Sequence, residues 1–555
     1  MNFLETIFQH LNHAGAQPVL QEVRDGQLIA ASGDQLLASV QRARAFFQRS
    51  GLQKGDRSVL LAHNSIRWAA LDLAMMAEGL IVVPLYARQA PTELVAMMQD
   101  SSPALLCCGD SALKESLRQH WPDSSRMVSF DEIFGGDGEA PGPAANSVRA
   151  TALPLADSDP VTIIYTSGTS GEAKGVILTV GNLNHMLRCT TARLDLLMGP
   201  RTEPDRIFHY LPFCFAGSRV LLLTCLSRDS ILTLSTDLTK LAEEIRLAAP
   251  NYFLNVPVLL ERIRAGIESQ LQKRGGPALW LFEKGKAAWS RRQRGGSDLL
   301  DLFWLALAKA LIFPSIRRGL GPNLKAFICG SAPLAKETQL FFHRIGLPVL
   351  QVYGLTETTA ICTMDHPHRI EPGCVGPAID GIEMRLSENG EILVRGPNVF
   401  QGYWNNPQAT AKALRGGWFR TGDQGEMNSS GNWRISGRIK NLIILTSGHN
   451  VAPEPIEETL SRALPAAQQV ALIGNGRSFL TAIVTGNVTH DQVESALEKL
   501  NKELPHYKRI RAFHISPEPF TIESGLLTAN GKFKREAIAE RFREPIEELY
   551  CKTKA

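Results

Sequence analysis

Residues 161–176 read Val-Thr-Ile-Ile-Tyr-Thr-Ser-Gly-Thr-Ser-Gly-Glu-Ala-Lys-Gly-Val, a β-branched run that passes into small hydroxyl residues and glycines and then a lysine. Glycines let a backbone approach a polyphosphate closely and turn its N–H groups inward as an anion nest. Gly168 and Gly171 give that freedom here, and the hydroxyls of Thr166, Ser167, Thr169 and Ser170 add donors. Lys174 supplies a point charge for the β- and γ-phosphates. A Walker A loop needs Gly-Lys-Ser/Thr, whereas Ala173-Lys174-Gly175 stands here. A Gly/Ser/Thr loop alone is an ordinary linker; the strand before it and the lysine after it point to polyphosphate binding.

Five further segments carry polar and aromatic residues among glycines: Gly330-Ser-Ala-Pro-Leu334, Gln351-Val-Tyr-Gly-Leu-Thr-Glu-Thr358, Trp418-Phe-Arg-Thr-Gly-Asp423, Gly437-Arg-Ile-Lys-Asn441 and Thr528-Ala-Asn-Gly-Lys-Phe-Lys-Arg535. Taken singly, Tyr353 reads as a core aromatic, Glu357 as a solvated loop acid, Arg438 as a surface ion-pair partner and the lysines near 532 as a solvated patch. With the phosphate loop, and in this order over nearly the whole chain, they resemble the motifs of the adenylate-forming enzymes. That superfamily includes acyl-CoA synthetases, peptide-synthetase adenylation domains and beetle luciferases. The loop departs from the family pattern at Ala173, where proline is usual.

The resemblance implies a site for ATP and Mg²⁺. Gly330, Ser331, Ala332 and Pro333 would form the adenine side, with Gly354 in the next motif; Tyr353 would stack on the base and Thr356 would bond the α-phosphate. Glu357 would hold Mg²⁺, since a flat aromatic suits a purine and a carboxylate suits a hard cation. Asp423 would accept both ribose hydroxyls and Arg438 would contact ribose or phosphate. Lys440 would be the hinge, and Lys532 would act catalytically with Lys174, Thr356 and Glu357, Lys534 being the alternative if the register slips. Ser447 to Glu457 resembles the segment facing the approach of CoA. Gly448 would leave room for the pantetheine arm, and His449 stands beside it at a position that varies in the family.

The chain has 555 residues, 59 basic and 55 acidic, a formal charge of +4, and 44% hydrophobic residues. That balance excludes a general nucleic-acid binder and wholesale disorder. Nine cysteines, an odd number with no CxxC spacing, indicate neither a zinc site nor a disulfide framework. No cationic stretch followed by an apolar run opens the sequence, and the expectation is a cytoplasmic protein.

Short apolar runs at Val59–His63, Ile81–Leu85, Ala104–Cys108, Ala326–Cys329 and Val349–Tyr353 predict buried strands, and Ser65–Glu78 predicts a helix between two of them. From about Cys374 short alternating strands at Glu383–Leu386, Glu391–Arg395 and Trp433–Ser436 are parted by Asn-Gly and Ser-Gly turns, which predicts an antiparallel barrel or sheet. The expected fold class is α/β. Layered α/β subdomains plus a small β-barrel (about 374–436) make a large N-terminal domain over 1–437, followed by a hinge at 438–440 and a small mobile α+β lid at 441–555.

Between Leu260 and Leu320 stand 12 Lys or Arg against 5 Asp or Glu, a local +7, around the apolar run Leu302–Phe313. One reading is a core helix with a solvated basic face; the other is a surface that meets anionic lipid, as peripheral membrane contact through 260–320, or guides an amphiphilic acid to the site. This insert resembles that of long-chain fatty acyl-CoA synthetases more than aryl-acid ones. In Tyr210-Leu-Pro-Phe-Cys-Phe215 the last position is usually His in the family, near the acyl site; Phe215 can neither hydrogen-bond nor titrate, which marks it as an altered acyl-site gate.

The expected function is ATP-dependent activation of a carboxylic acid, a medium- or long-chain fatty acid, through an acyl-adenylate to acyl-CoA, with release of AMP and pyrophosphate. The partners are then the acid, ATP and CoA, with no nucleic acid. Transfer to an acyl carrier protein or another acceptor is the alternative, and a non-catalytic nucleotide- or acyl-binding protein the distant one.

Overall fold

The computed structural model describes residues 1–121, 126–135, 152–167, 173–200, 202–293, 295–296, 298–528 and 531–552. Two mixed sheets dominate the first 400 residues. In one, the strands Arg57–Leu61, Ile81–Leu85, Leu105–Cys108 and Met127–Ser129 run parallel, and Pro160–Ser167 adds to Ile81–Leu85. Ala173–Thr179 and Gly402–Tyr403 close this sheet antiparallel. In the other, Val349–Tyr353, Ala326–Cys329, Tyr252–Asn255, Asp205–His209, Ser230–Leu234 and Pro18–Arg24 are parallel neighbours in that order.

Side-chain alternation divides these strands between layers. Leu60, Val82, Leu105 and Cys107 from the first sheet, and Leu20, Ile207, Leu232, Ile328 and Leu350 from the second, enter one shared core. The helices Ile66–Ala77 and Ala216–Leu226 are also in that core, and ten of the twelve residues of Ile66–Ala77 are buried. Both helices are therefore apolar around most of their circumference rather than along a stripe. The opposite faces have cores of their own. Val59, Leu61, Val83, Leu106 and Cys108 meet the helices Pro91–Ser101 and Ser111–His120. Phe208, Phe253, Phe327 and Val349 meet the helices of 257–320.

The strands Glu383–Leu386, Glu391–Arg395, Trp418–Met427, Leu414–Arg415 and Trp433–Arg438 form a third, antiparallel sheet. Beyond Arg438, Ala467–Ile473, Leu480–Gly486 and Ile510–Ser516 form a three-stranded sheet with a core on each face. The predicted strands at 81–85, 326–329, 349–353, 383–386 and 391–395 have the bounds read from the sequence.

The apolar run of the insert departs from the core-helix expectation. It lies in the helix Leu299–Leu311, followed by Phe313–Leu320. Asp301, Leu305 and Ala308 form its buried stripe, while Leu299, Leu300, Leu302, Phe303 and Leu311 are exposed. The solvated face is thus mostly apolar and not basic, because only one stripe of this helix finds a partner, on the neighbouring helix Gly276–Gln293.

Candidate active site

Three sheets converge on one cavity of about 970 Å³. The phosphate loop sits between the antiparallel strands Pro160–Ser167 and Ala173–Thr179, whose register pairs Thr166 with Lys174 and Ser167 with Ala173. Thr166 and Lys174 line the cavity. Gly168, Thr169, Ser170 and Gly171 lie outside the described residues.

Opposite, strands Ala326–Cys329 and Val349–Tyr353 end side by side, so both following segments reach the same rim. Gly330, Ser331, Gly354, Thr356 and Glu357 line the cavity. Two of these positions have no room for a side chain. A Cβ on Gly354 would meet the Ala360 carbonyl oxygen at 2.2 Å, and one on Gly330 would meet Val352 Cγ2 at 2.6 Å. Ala332 and Pro333 are exposed and do not line the cavity.

Tyr353 and Asp423 stand behind the lining. The Tyr353 hydroxyl donates to Asp423 Oδ2 at 2.8 Å, and Arg438 Nε pairs with Asp423 Oδ1 at 2.9 Å. The register places Asp423 opposite Arg438 on adjacent strands, which fixes that second contact. Each carboxylate oxygen keeps a second lone pair for a hydroxyl donor. Burial pushes the Asp423 carboxyl up, and Arg438 opposes the shift.

Two positioning residues were not legible in the sequence. Tyr403 donates its hydroxyl to Glu357 Oε1 at 2.8 Å, and its ring lies 5.3 Å below Lys174 Nζ. Glu391 accepts from Gly422 N at 3.0 Å and from Arg420 Nε at 2.9 Å, anchoring the turn that presents Asp423. Both act across long sequence separations, so no local spacing announces them. The one signal for Tyr403 is its place beside Gly402 and Trp404 between polar residues.

Arg438, Lys440 and Lys532 complete the cationic end. Lys532 projects into the cavity from a turn closed by Lys532 N to Thr528 Oγ1 at 3.1 Å, with Gly531 at φ 71°. That turn is held by Arg535, which donates to both oxygens of buried Glu457 at 2.6 Å. Lys534 points elsewhere, to Glu93 at 3.0 Å, so Lys532 is the lysine that the structure brings to the cavity.

Lys532 is open to water within the cavity, but the surrounding protein still removes enough solvent to lower its ammonium pKa; Arg438 adds to the shift while Asp423 and Glu357 oppose it. Lys440 is lowered too, first by burial and then by Lys174, Arg438 and Lys412. Cations that depress one another in a cleft are a stored affinity for an anion.

The other end of the cavity is apolar. Phe215 caps the helix Ala216–Leu226 and approaches Tyr86 at 5.9 Å between ring centroids. Leu194, Leu221, Leu254 and Ile328 extend this lining. Thr190 and Thr224 also line it, but they bond each other at 2.8 Å and the carbonyls of Met186 and Val220, so their hydroxyls are spent internally. Gly448 and His449 are not at the cavity. They lie exposed in the turn between Ile443–Ile444 and Asn450–Val451, with His449 stacked on Tyr507 at 4.3 Å.

Two carboxylates line the cavity: Glu391 is spent on Gly422 N and Arg420 Nε, whereas Glu357 stands next to Thr356. One carboxylate oxygen, with the rest of the shell from phosphates and water, suits Mg²⁺, which binds through few protein ligands.

The sequence matches the AMP-binding enzyme family over residues 12–404 and the AMP-binding enzyme C-terminal domain over 440–554. It is 29% identical, over 99% of this chain and 97% of the relative, to the long-chain-fatty-acid–CoA ligase FadD15 of Mycobacterium bovis. It is also 29% identical to the chloroplastic long-chain-fatty-acid–[acyl-carrier-protein] ligase AEE15 of Arabidopsis thaliana, over 90% of this chain and 80% of the relative. Among solved structures, the adenylation domain of a carboxylate reductase from Mycobacterium chelonae superposes with a TM-score of 0.77 at 21% identity, over 99% of this chain and 91% of that one. At that identity the likeness speaks for the fold alone.

Proposed function

The chain belongs to the AMP-binding enzyme family and is an acid–thiol ligase, and we propose that it activates a medium- or long-chain fatty acid through an acyl-adenylate and passes the acyl group to CoA. The observation that carries this reading is the single cavity with a cationic end and an apolar end. A triphosphate answers the mutual repulsion of Lys174, Arg438, Lys440 and Lys532, and an alkyl chain answers the lining from Phe215 to Leu221. The names of the two fatty-acid ligases support the same substrate class.

A carboxylate is a poor acyl donor because its leaving group would be oxide. Its oxygen attacks the α-phosphorus of ATP, an O–P bond forms, and the bond to pyrophosphate breaks with the electron pair leaving on pyrophosphate. Lys532 and Lys174 meet the charge that develops, and placing both reactants in one cavity supplies the in-line geometry. Mg²⁺ held at Glu357 would screen the phosphate charge. A thiol sulfur then attacks the acyl carbon, AMP departs with the C–O electron pair, and the thiol proton is lost.

With Lys532 in the cavity and Gly448 and His449 outside it, the arrangement suits the first half-reaction. In our reading residues 441–555 turn about Lys440 for the second half. Among the described residues two ion pairs link this part to the rest, Lys534–Glu93 at 3.0 Å and Arg462–Glu337 at 2.9 Å. Partly exposed pairs contribute about 0–1 kcal/mol each, little enough to release.

The test supplies CoA as the only thiol, with C8 to C18 acids, acetate and an aryl acid in separate reactions. Acyl-CoA from the longer fatty acids is the expected product; product only with a phosphopantetheinyl carrier protein would transfer the reading to that acceptor. Phe215→Ala should raise KM for the acid about tenfold while leaving KM for ATP unchanged, because it removes an aromatic contact at the apolar end alone.

A further inference from the structure

Five of the fifteen exposed large hydrophobic residues among the described residues stand on the one helix Leu299–Leu311. Leu299 is 84% exposed, Leu300 64%, Phe303 55% and Leu311 61%. The neighbouring helix Gly276–Gln293 adds Trp280, 51% exposed. Trp280 and Phe303 both meet Trp304 edge-on, at 4.9 Å and 5.1 Å between ring centroids, so the aromatics form one cluster rather than scattered contacts. Contiguous apolar patches of this kind mark a surface that is covered in use.

Length and composition let 299–320 pass for a membrane-crossing segment, with a mean hydropathy of 1.8, but its geometry does not. Asp301 on its buried stripe is paired with Arg291 of the neighbouring helix at 2.7 Å, and Leu305, Ala308 and Phe313 pack into the core on the outer face of the sheet. The helix is therefore held flat against the body with its other side outward. An amphipathic element lying in that manner suits the plane of a bilayer interface, not a span.

The charges identify the partner. Lys309 is exposed on the same helix, Lys284 lies 5.7 Å over the Trp280 ring, and Arg317 and Arg318 are exposed on the helix that follows. With a local balance of +7 over 260–320, the apolar patch carries a cationic rim. We propose that the face made by Trp280, Leu299, Leu300, Phe303 and Leu311 docks the protein on the surface of an anionic lipid bilayer, with the aromatics at headgroup depth and the basic residues on the lipid charge. The helix Pro257–Arg274 opens this insert directly after Val256, which lines the cavity, so the docked face and the apolar end belong to one segment of chain. Docking is a property of the surface and does not require the proposed acyl chemistry; a binding assay keeps the failure of one apart from the failure of the other.

The full chain is floated with vesicles of phosphatidylcholine alone and of phosphatidylcholine with phosphatidylglycerol. Flotation with the anionic vesicles is expected, declining as salt rises, together with a blue shift of tryptophan emission that Trp280→Phe removes. The pair Leu300→Glu and Phe303→Glu should weaken binding at least about tenfold, and Lys284→Glu with Lys309→Glu should weaken it selectively on anionic vesicles. Thermal melts establish that the variants are folded, and the basal release of pyrophosphate should be unchanged in all of them. Wild-type binding that the charge and apolar variants leave intact overturns the proposal, as does no flotation at all. A lipid-free dimer that Phe303→Glu dissolves would instead assign the face to a second copy of the chain.

Discussion

Lys532→Ala is expected to lower acid-dependent pyrophosphate release about 10²–10³-fold, the usual cost of removing one group aimed at developing transition-state charge. Thioester formation from supplied acyl-adenylate should persist. The asymmetry follows from placement: Lys532 reaches the cavity that holds Lys174, Thr356 and Glu357, whereas Gly448 and His449, which the family resemblance would place on the approach of CoA, stay outside it in the same arrangement. The lysine must be charged to act, and its pKa is lowered by the loss of solvent to the surrounding protein and by Arg438. The alkaline limb of the pH–rate profile should therefore fall below the ordinary lysine range, and Lys532→Arg, always charged, should carry the limb upward. Equal loss in both half-reactions would assign Lys532 to structure instead.

The second large effect is on stability. Arg219 donates to Asp72 through Nε at 3.0 Å and NH2 at 2.6 Å, with both side chains almost wholly buried between the two large sheets. Arg219→Leu should cost about 3–5 kcal/mol in unfolding free energy, because the carboxylate is left without its partner in a dry core. Burial pushes the Asp72 pKa up, and Arg219 is what opposes that shift. Without the arginine, the folded state favours protonated Asp72. The variant's deficit should then be smallest in acid and grow as pH rises through the raised pKa. Replacing both residues by leucine should recover much of the loss. Urea titrations at several pH values measure this; a deficit under about 1 kcal/mol, or one flat with pH, would contradict the assignment. Arg219 lies one turn beyond Phe215 on the helix beside the apolar end, so the pair also fixes the wall of the cavity.

The strands and the order of the site motifs were legible because their signals are local. Ile81–Leu85 is an apolar run bounded by a glycine turn, and the strand Pro160–Ser167 is announced by a β-branched run that meets glycines. Sheet order was not legible. Tyr252–Asn255 and Ala326–Cys329 are neighbours across a seventy-residue insert, and nothing short-range encodes that pairing. The same limit hid Tyr403 under Lys174 and Glu391 behind Asp423, since each acts on a partner far away in the sequence. The insert helix was half readable. Leu305 and Ala308 are core, as an apolar run suggests, but Leu302 and Phe303 on its other side face outward, and hydropathy alone does not separate the two.

The central claim is that this cavity joins a carboxylic acid to the α-phosphate of ATP. The most direct measurement is pyrophosphate release with Mg-ATP across acetate, C8 to C18 fatty acids and an aryl acid, each with and without CoA. The account predicts release that requires a medium- or long-chain acid and accelerates when CoA clears the adenylate. Silence across the panel, with ATP still raising the thermal midpoint of the protein, would contradict it and leave a nucleotide-binding protein without turnover.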